Sequence, residues 1–219
     1  MEDENKTPIV HVTRSLDPIK PILSAEVIRK HERSKSTYPH LNLSEGEYVI
    51  VSVGRHPIGL IGPQVAGAIL VAILLTVATS YQDMFERIGI LPQSGIFSLD
   101  FVVGVCWLFL IVVILGMISI AYVYVSNRFY LTNESVIQEI RYSLFSKHEQ
   151  TVSLANIEDA SFNQKGILQH IFNYGSVRLS TEGDETTYRF SYVTNPKAHV
   201  ARLNNVVEAF KNGRPIEDN

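Results

Sequence analysis

Residues 101–132, FVVGVCWLFLIVVILGMISIAYVYVSNRFYLT, constrain this chain more than any other stretch. The first 25 of them, Phe101 to Val125, carry no charge, and 16 are Leu, Ile, Val or Phe. As a helix rising 1.5 Å per residue that run is about 37 Å long, more than the ~30 Å hydrocarbon core of a bilayer. Its large apolar residues supply on the order of −5 to −10 kcal/mol of gross insertion energy. The character then changes within a few residues. Ser126, Asn127 and Arg128 are polar, and Phe129-Tyr130-Leu131-Thr132 alternates like a strand. A membrane helix is expected to run almost directly into a folded domain.

A second block, residues 58–81, is apolar, small or hydroxylated apart from Gln64. As a helix it reaches about 36 Å, enough to span. Ala66, Gly67, Ala68 and Ala72 offer a small-residue stripe against which the other span could pack. Lys plus Arg number eight before this block, one in the link 82–100, and ten after residue 125. Flanking cations stay on the cytoplasmic side, so both termini are expected in the cytoplasm and the link outside, in the cell (inner) membrane. Arg55 and His56 before the first span, Trp107, Tyr122 and Tyr124 toward the two ends of the second, and Arg128 beyond it read as interfacial anchors.

The formal charge of −3 and the lack of a long basic run argue against nucleic acid. The single cysteine, Cys106, lies inside the apolar run, which leaves no disulfide framework and no cysteine metal cluster. The polar opening MEDENKTP has no basic-then-apolar pattern, so a cleavable signal peptide is not expected. Residues 1–37 read as a flexible tail. A short helix within residues 18–35 either lies on an anionic membrane surface or is solvated, its basic end complementing the helix dipole. Residues 38–57 read as a pre-membrane connector in which residues 47–53 are β-like.

Past the membrane the period shortens to two. Val136, Gln138, Ile140 and Tyr142 fall on one strand face, as do Gln150, Val152 and Leu154. A strand over 156–164 precedes a short helix over 165–172 with Ile167, Leu168 and Ile171 inward. Val177, Leu179 and Thr181, a hairpin turn at 182–185, and Tyr188, Phe190 and Tyr192 follow. Asn195 can cap a helix and Pro196 suits its first turn; Val200, Leu203, Val207 and Phe210 then recur at helical spacing until Gly213 and Pro215. The expected architecture is a two-helix transmembrane hairpin (58–81 and 101–125, joined by an extracytoplasmic loop). A cytoplasmic domain at 126–212 follows, with about six or seven antiparallel strands capped by a C-terminal helix, and then a tail at 213–219.

Three ordered blocks, residues 128–137 (RFYLTNESVI), 154–160 (LANIEDA) and 167–177 (ILQHIFNYGSV), resemble the bacterial pleckstrin-homology (PH) domain of the YdbS-like membrane protein family. The order of two membrane helices before the domain also matches, as does a preceding segment like EGEYVI with Arg55-His56. The resemblance covers residues 41–210 and implies a PH-like barrel closed by a C-terminal helix. It marks Tyr130, Leu131, Thr132, Ile157, Tyr174 and Gly175 as structural signature positions. Ser135 stands where a basic residue is common in that family, and Ser143 where a glycine is.

No HExxH, CxxC, Gly-rich phosphate loop or GxSxG elbow occurs. His148 and His170 read as surface or packing residues, and Glu158 and Asp159 as strand neighbours facing opposite ways. The expectation is a non-enzymatic membrane protein, without cofactor or metal, whose domain binds a protein partner or another copy of itself. Specific phosphoinositide binding is not expected, since no Lys/Arg cluster lies between the first strands. The alternative is a subunit of an oligomeric transport or export complex. Against it, neither span carries an ionisable residue at depth.

Overall fold

The computed structural model describes residues 23–88, 98–181 and 187–216. The readings made for residues 1–22, for most of the link between the spans, for the turn at 182–186 and for residues 217–219 lie outside these. The elements are α1 (Ala25–Thr37), β1 (Val49–Gly54), α2 (Ile58–Ile88), α3 (Leu99–Ser126), β2 (Arg128–Thr132), β3 (Ser135–Arg141), β4 (Lys147–Ser153), β5 (Ile157–Asn163), α4 (Ile167–Ile171), β6 (Tyr174–Thr181), β7 (Thr187–Thr194) and α5 (Pro196–Lys211). A 3₁₀ turn, Leu154–Asn156, joins β4 to β5.

α2 and α3 are both long and apolar enough to cross a membrane, with mean hydropathies of 2.3 over Ile58–Tyr81 and 3.0 over Leu99–Ser126. Their outward residues, among them Ile61, Ile69, Leu108 and Ile118, are exposed among the described residues. Hydroxyls within them are satisfied locally: those of Thr76, Ser119 and Ser126 donate to the carbonyls of Ala72, Leu115 and Tyr122 at 2.7–2.8 Å. That is how a polar side chain is accommodated where no water is at hand. Of the small-residue stripe, only Gly67 faces α3. A Cβ there would stand 2.5 Å from the Met117 sulfur, whereas Ala66, Ala68 and Ala72 point outward. Gln64 donates across the pair to the Met117 carbonyl at 3.1 Å.

The strands form two antiparallel sheets, β1-β2-β3-β4 and β5-β6-β7. A bridge between Arg55 and Val193 joins them at one corner. Between the sheets lies one core, to which Val53, Phe129, Leu131, Val136, Val152, Leu154, Ile157, Val177, Leu179, Phe190 and Val193 contribute. α5 closes it with Val200, Leu203, Val206 and Val207, while Phe210, expected inward, is exposed at the helix end. Asn195 does precede α5, but in a left-handed conformation (φ +44°) and without a side-chain cap bond. Its carbonyl accepts from the His199 N–H instead.

Residues 38–57 do more than connect. β1 is an edge strand of the first sheet, paired antiparallel with β2. The segment before it covers that sheet's outer face, where Leu41 packs with Tyr130 and Ile137. α1, begun by the Ser24 side chain accepting from the Val27 N–H, docks on this segment. The His31 ring donates to the Glu47 carbonyl at 2.6 Å, the Ser34 hydroxyl accepts from the Val49 N–H at 3.0 Å, and the Lys30 ammonium sits over the Tyr48 ring.

Ile167, Leu168 and Ile171, expected to face the core, are all exposed. α4 has a single turn, and the core behind it is already filled from the strands. Periodicity marked an apolar face without saying what it faces.

Candidate functional site

The helix pair is inserted between two neighbouring strands. β1 leads into α2 and α3 leads into β2, and the two strands are paired up to Gly54↔Arg128, right where the chain leaves and re-enters the sheet. The domain is therefore attached to the helices at two adjacent points.

His56 organises the entry into α2. Its N–H donates to the Tyr192 carbonyl at 2.5 Å and its own carbonyl accepts from the Tyr124 hydroxyl at 2.6 Å. Its ring Nδ1 accepts from the Ile58 N–H at 3.2 Å, satisfying one of the free N–H groups at the start of α2. The same ring stacks on Tyr174, centroids 5.3 Å apart, and Tyr174 stacks on Tyr192. Tyr192 holds φ at +61°, a conformation costly for an aromatic residue and maintained here by these contacts. The Arg55 guanidinium lies over the Tyr124 and Phe190 rings at 5.6 and 5.8 Å.

Asn127 organises the exit from α3. It is 2% exposed. Its amide nitrogen donates to the Val123 carbonyl (2.7 Å), closing the last turn of the helix, and to the Arg141 carbonyl (3.3 Å). Its amide oxygen accepts from the Arg141 N–H at 2.9 Å. One side chain thus caps α3 and holds the end of β3. The Arg141 guanidinium then lies over the Tyr122 ring and donates to its hydroxyl at 3.3 Å.

Of the expected interfacial anchors, the structure brings together Arg55, His56 and Tyr124, while Tyr122 partners Arg141 instead. Arg128 begins β2 beside them, with an exposed side chain. Trp107 is exposed on α3, 19 positions before Ser126, or about 28 Å along the helix. That separation is close to one hydrocarbon thickness.

The signature positions are structural. Tyr130, Leu131, Thr132 and Ile157 are all buried. Gly175 permits a close crossing: a Cβ would lie 2.6 Å from the Asn163 carbonyl oxygen. Tyr174 goes further and couples the second sheet to the entry of α2.

Two buried carboxylates escaped the sequence reading. Glu47, 4% exposed, accepts from the Thr132 and Ser135 hydroxyls at 2.6 Å and from the Ser44 N–H at 2.9 Å. Ser135, where the resembling family often carries a basic residue, here supplies a hydroxyl to that carboxylate. Glu139, also 4% exposed, pairs with Lys147 at 2.5 Å, accepts from the Tyr130 hydroxyl at 3.1 Å and stands 3.3 Å from the His40 ring. Burial pushes its pKa up, but Lys147, His40 and Tyr130 together outweigh that and hold it below the ordinary glutamate value. Burial and the Glu139 charge push the Tyr130 phenol up, and Glu139 and Glu149 raise Lys147 against its own burial. This is a clasp between strands and the segment before β1. Nothing in the local alternation marked it, because Glu139 shares the sheet's outer face with Ile137 and is buried there only by the segment before β1.

Among solved structures, the chain is similar to a DUF1696 family protein with a pleckstrin-homology domain from Shewanella loihica PV-4, at 15% identity and a TM-score of 0.29. That match covers 38% of this chain and 69% of the other. No curated protein sequence matches it. The family model for the bacterial PH domain matches residues 49–207, beginning at the first residue of β1 and running through the helix pair into α5. The chain is a member of the bacterial PH domain family.

Proposed function

We propose that this protein crosses the cell membrane twice, with both termini cytoplasmic. It would present its PH domain against the inner face as a non-enzymatic module for binding a protein partner or a second copy of itself. The observation that carries this is the two-point attachment at Gly54 and Arg128, reinforced by His56 and Asn127. A domain held this way has a set height and orientation relative to the helices, which suits an assembly role at a surface and is wasted on a freely tethered enzyme. The excess of Lys and Arg outside the link supports the orientation. The outer edge of β4, unpaired among the described residues, offers a strand to which a partner segment could add.

Photo-crosslinking from Thr151, exposed on β4, in intact membranes tests the proposal. Capture of one defined protein, or of a second copy, is expected. A featureless spread of products, or none, removes the interaction role. A reporter active only outside the cytoplasm, fused after Asn219, is expected to stay silent; activity there overturns the orientation.

A further inference from the structure

Alternate strands fix which loops lie near the helix pair. β1 runs toward α2 and β2 runs away from α3, so β3 runs back toward the helices. In the second sheet the last residues of β7 meet Arg55 and His56, and pairing with β7 and β6 brings the start of β6 and the end of β5 to the same corner. The connections β3–β4, residues 142–146, and β5–β6, which contains α4, therefore both sit at the end of the sheets from which the helices leave. Contacts place them there independently. The Arg141 backbone, just before the first connection, is held by Asn127, and Tyr174, just after the second, stacks on His56.

Both connections are apolar and exposed. Phe145 is 98% exposed and Tyr142 and Leu144 flank it; Ile167 is 78% exposed, with Leu168, Ile171 and Phe172 beside it. Among the described residues the β2–β3 turn at the opposite end differs in kind, Asn133-Glu134 being polar. Among the described residues, apolar loop tips gathered at the helix end of the domain are not what a uniformly solvated surface carries.

The first tip also shows its depth. Tyr142, Ser143 and Leu144 share a cleft of about 450 Å³ with Ser119, Ile120 and Val123 of α3. Ser119 lies seven residues before Ser126, about 10 Å along the helix, so the tip runs beside the part of α3 that would cross the membrane. Arg128, Arg141 and Lys165 stand at the same end, where anionic headgroups would meet them.

We propose that residues 142–146 and residues 167–172 insert into the headgroup and upper acyl region of the leaflet from which the helix pair emerges. The PH domain would then rest on lipid at two points flanking the helices. This rests on the membrane reading of α2 and α3. The occupant is lipid because the first tip shares a cleft with the outward surface of α3, and the second lies at the same end of the domain, next to Tyr174 where it stacks on His56 at the entry of α2.

The test uses the full chain in phosphatidylcholine vesicles containing a minority of phosphatidylglycerol, with and without brominated acyl chains. Native Trp107 reports on the helix pair. In a Trp107→Phe background, single tryptophans are placed by Phe145→Trp, Ile167→Trp and, at an exposed position toward the opposite end, Glu158→Trp. The three sites are exposed, so a tryptophan fits without repacking. The expected result is that Trp107 and the tryptophans at 145 and 167 lose most of their emission to brominated lipid and emit to the blue, while the one at 158 does neither. Quenching of Trp107 without quenching at both tips overturns the lipid-resting domain and leaves the membrane reading intact. An unquenched Trp107 overturns the membrane reading and this proposal with it. Equal quenching at 145, 167 and 158 also overturns it, because contact is then not confined to one end.

Discussion

The Tyr124 hydroxyl donates a 2.6 Å hydrogen bond to the His56 carbonyl, tying the last turns of α3 to the residue that leads into α2. The two helices therefore meet the domain as one unit. Tyr124→Phe keeps the ring against Tyr192 and beneath Arg55 and removes only this bond. The expected cost is about 1 kcal/mol in unfolding free energy. Faster amide exchange around Arg55–Ile58 is expected alongside it; unchanged exchange there would show that the bond does not hold the junction.

Asn127→Ala should cost more, about 2–4 kcal/mol, because it strips the cap from α3 and leaves the part-buried Arg141 N–H without its partner. Denaturant unfolding of the detergent-solubilised protein measures it. Asn127→Asp keeps the acceptor for Arg141 but loses both donors, so it should not restore wild-type stability.

Acid should weaken the domain through Glu139. Its folded pKa is lowered, so its stabilising contribution is complete above the ordinary value of 4.5 and is lost as pH falls through the folded value. His199, lowered by burial and by Arg202, adds an earlier loss as pH drops below 6.5. On the alkaline side the raised Lys147 and Tyr130 contribute stability that disappears as pH rises through their folded values, above 10.5 and 10.0. Glu139→Gln should lower stability at neutral pH and flatten both limbs in a series of unfolding curves against pH.

Gly67→Val places a branched side chain where a Cβ already stands 2.5 Å from the Met117 sulfur. The helices must separate locally or Met117 must move, at an expected cost of about 1–3 kcal/mol. Ala68→Val, outward on the same helix, should change little. Thermal unfolding of both variants in one detergent gives the comparison; equal effects would remove Gly67 from the interface.

Much of the architecture was legible residue by residue. The uncharged run ending at Val125 and the switch to alternation at Phe129 located α3 and β2, because helix length and strand period are written in consecutive residues. Val200, Leu203 and Val207 located the face of α5 for the same reason. Glu47 and Glu139 were silent, since a buried carboxylate is identified only by the hydroxyls and cations that converge on it from other strands.

By itself, then, the sequence determined the two long apolar helices, the run of short strands and the closing helix: properties of local period, length and hydropathy. Only the tertiary structure decided that residues 49–54 belong to the sheet, that the helix pair is inserted between paired strands, and that the apolar tips at Phe145 and Ile167 lie at the helix end, facing outward. Pairing of Gly54 with Arg128 joins residues on either side of both helices. An apolar residue records that it avoids water, and the fold alone sets whether a core or a lipid surface provides that refuge.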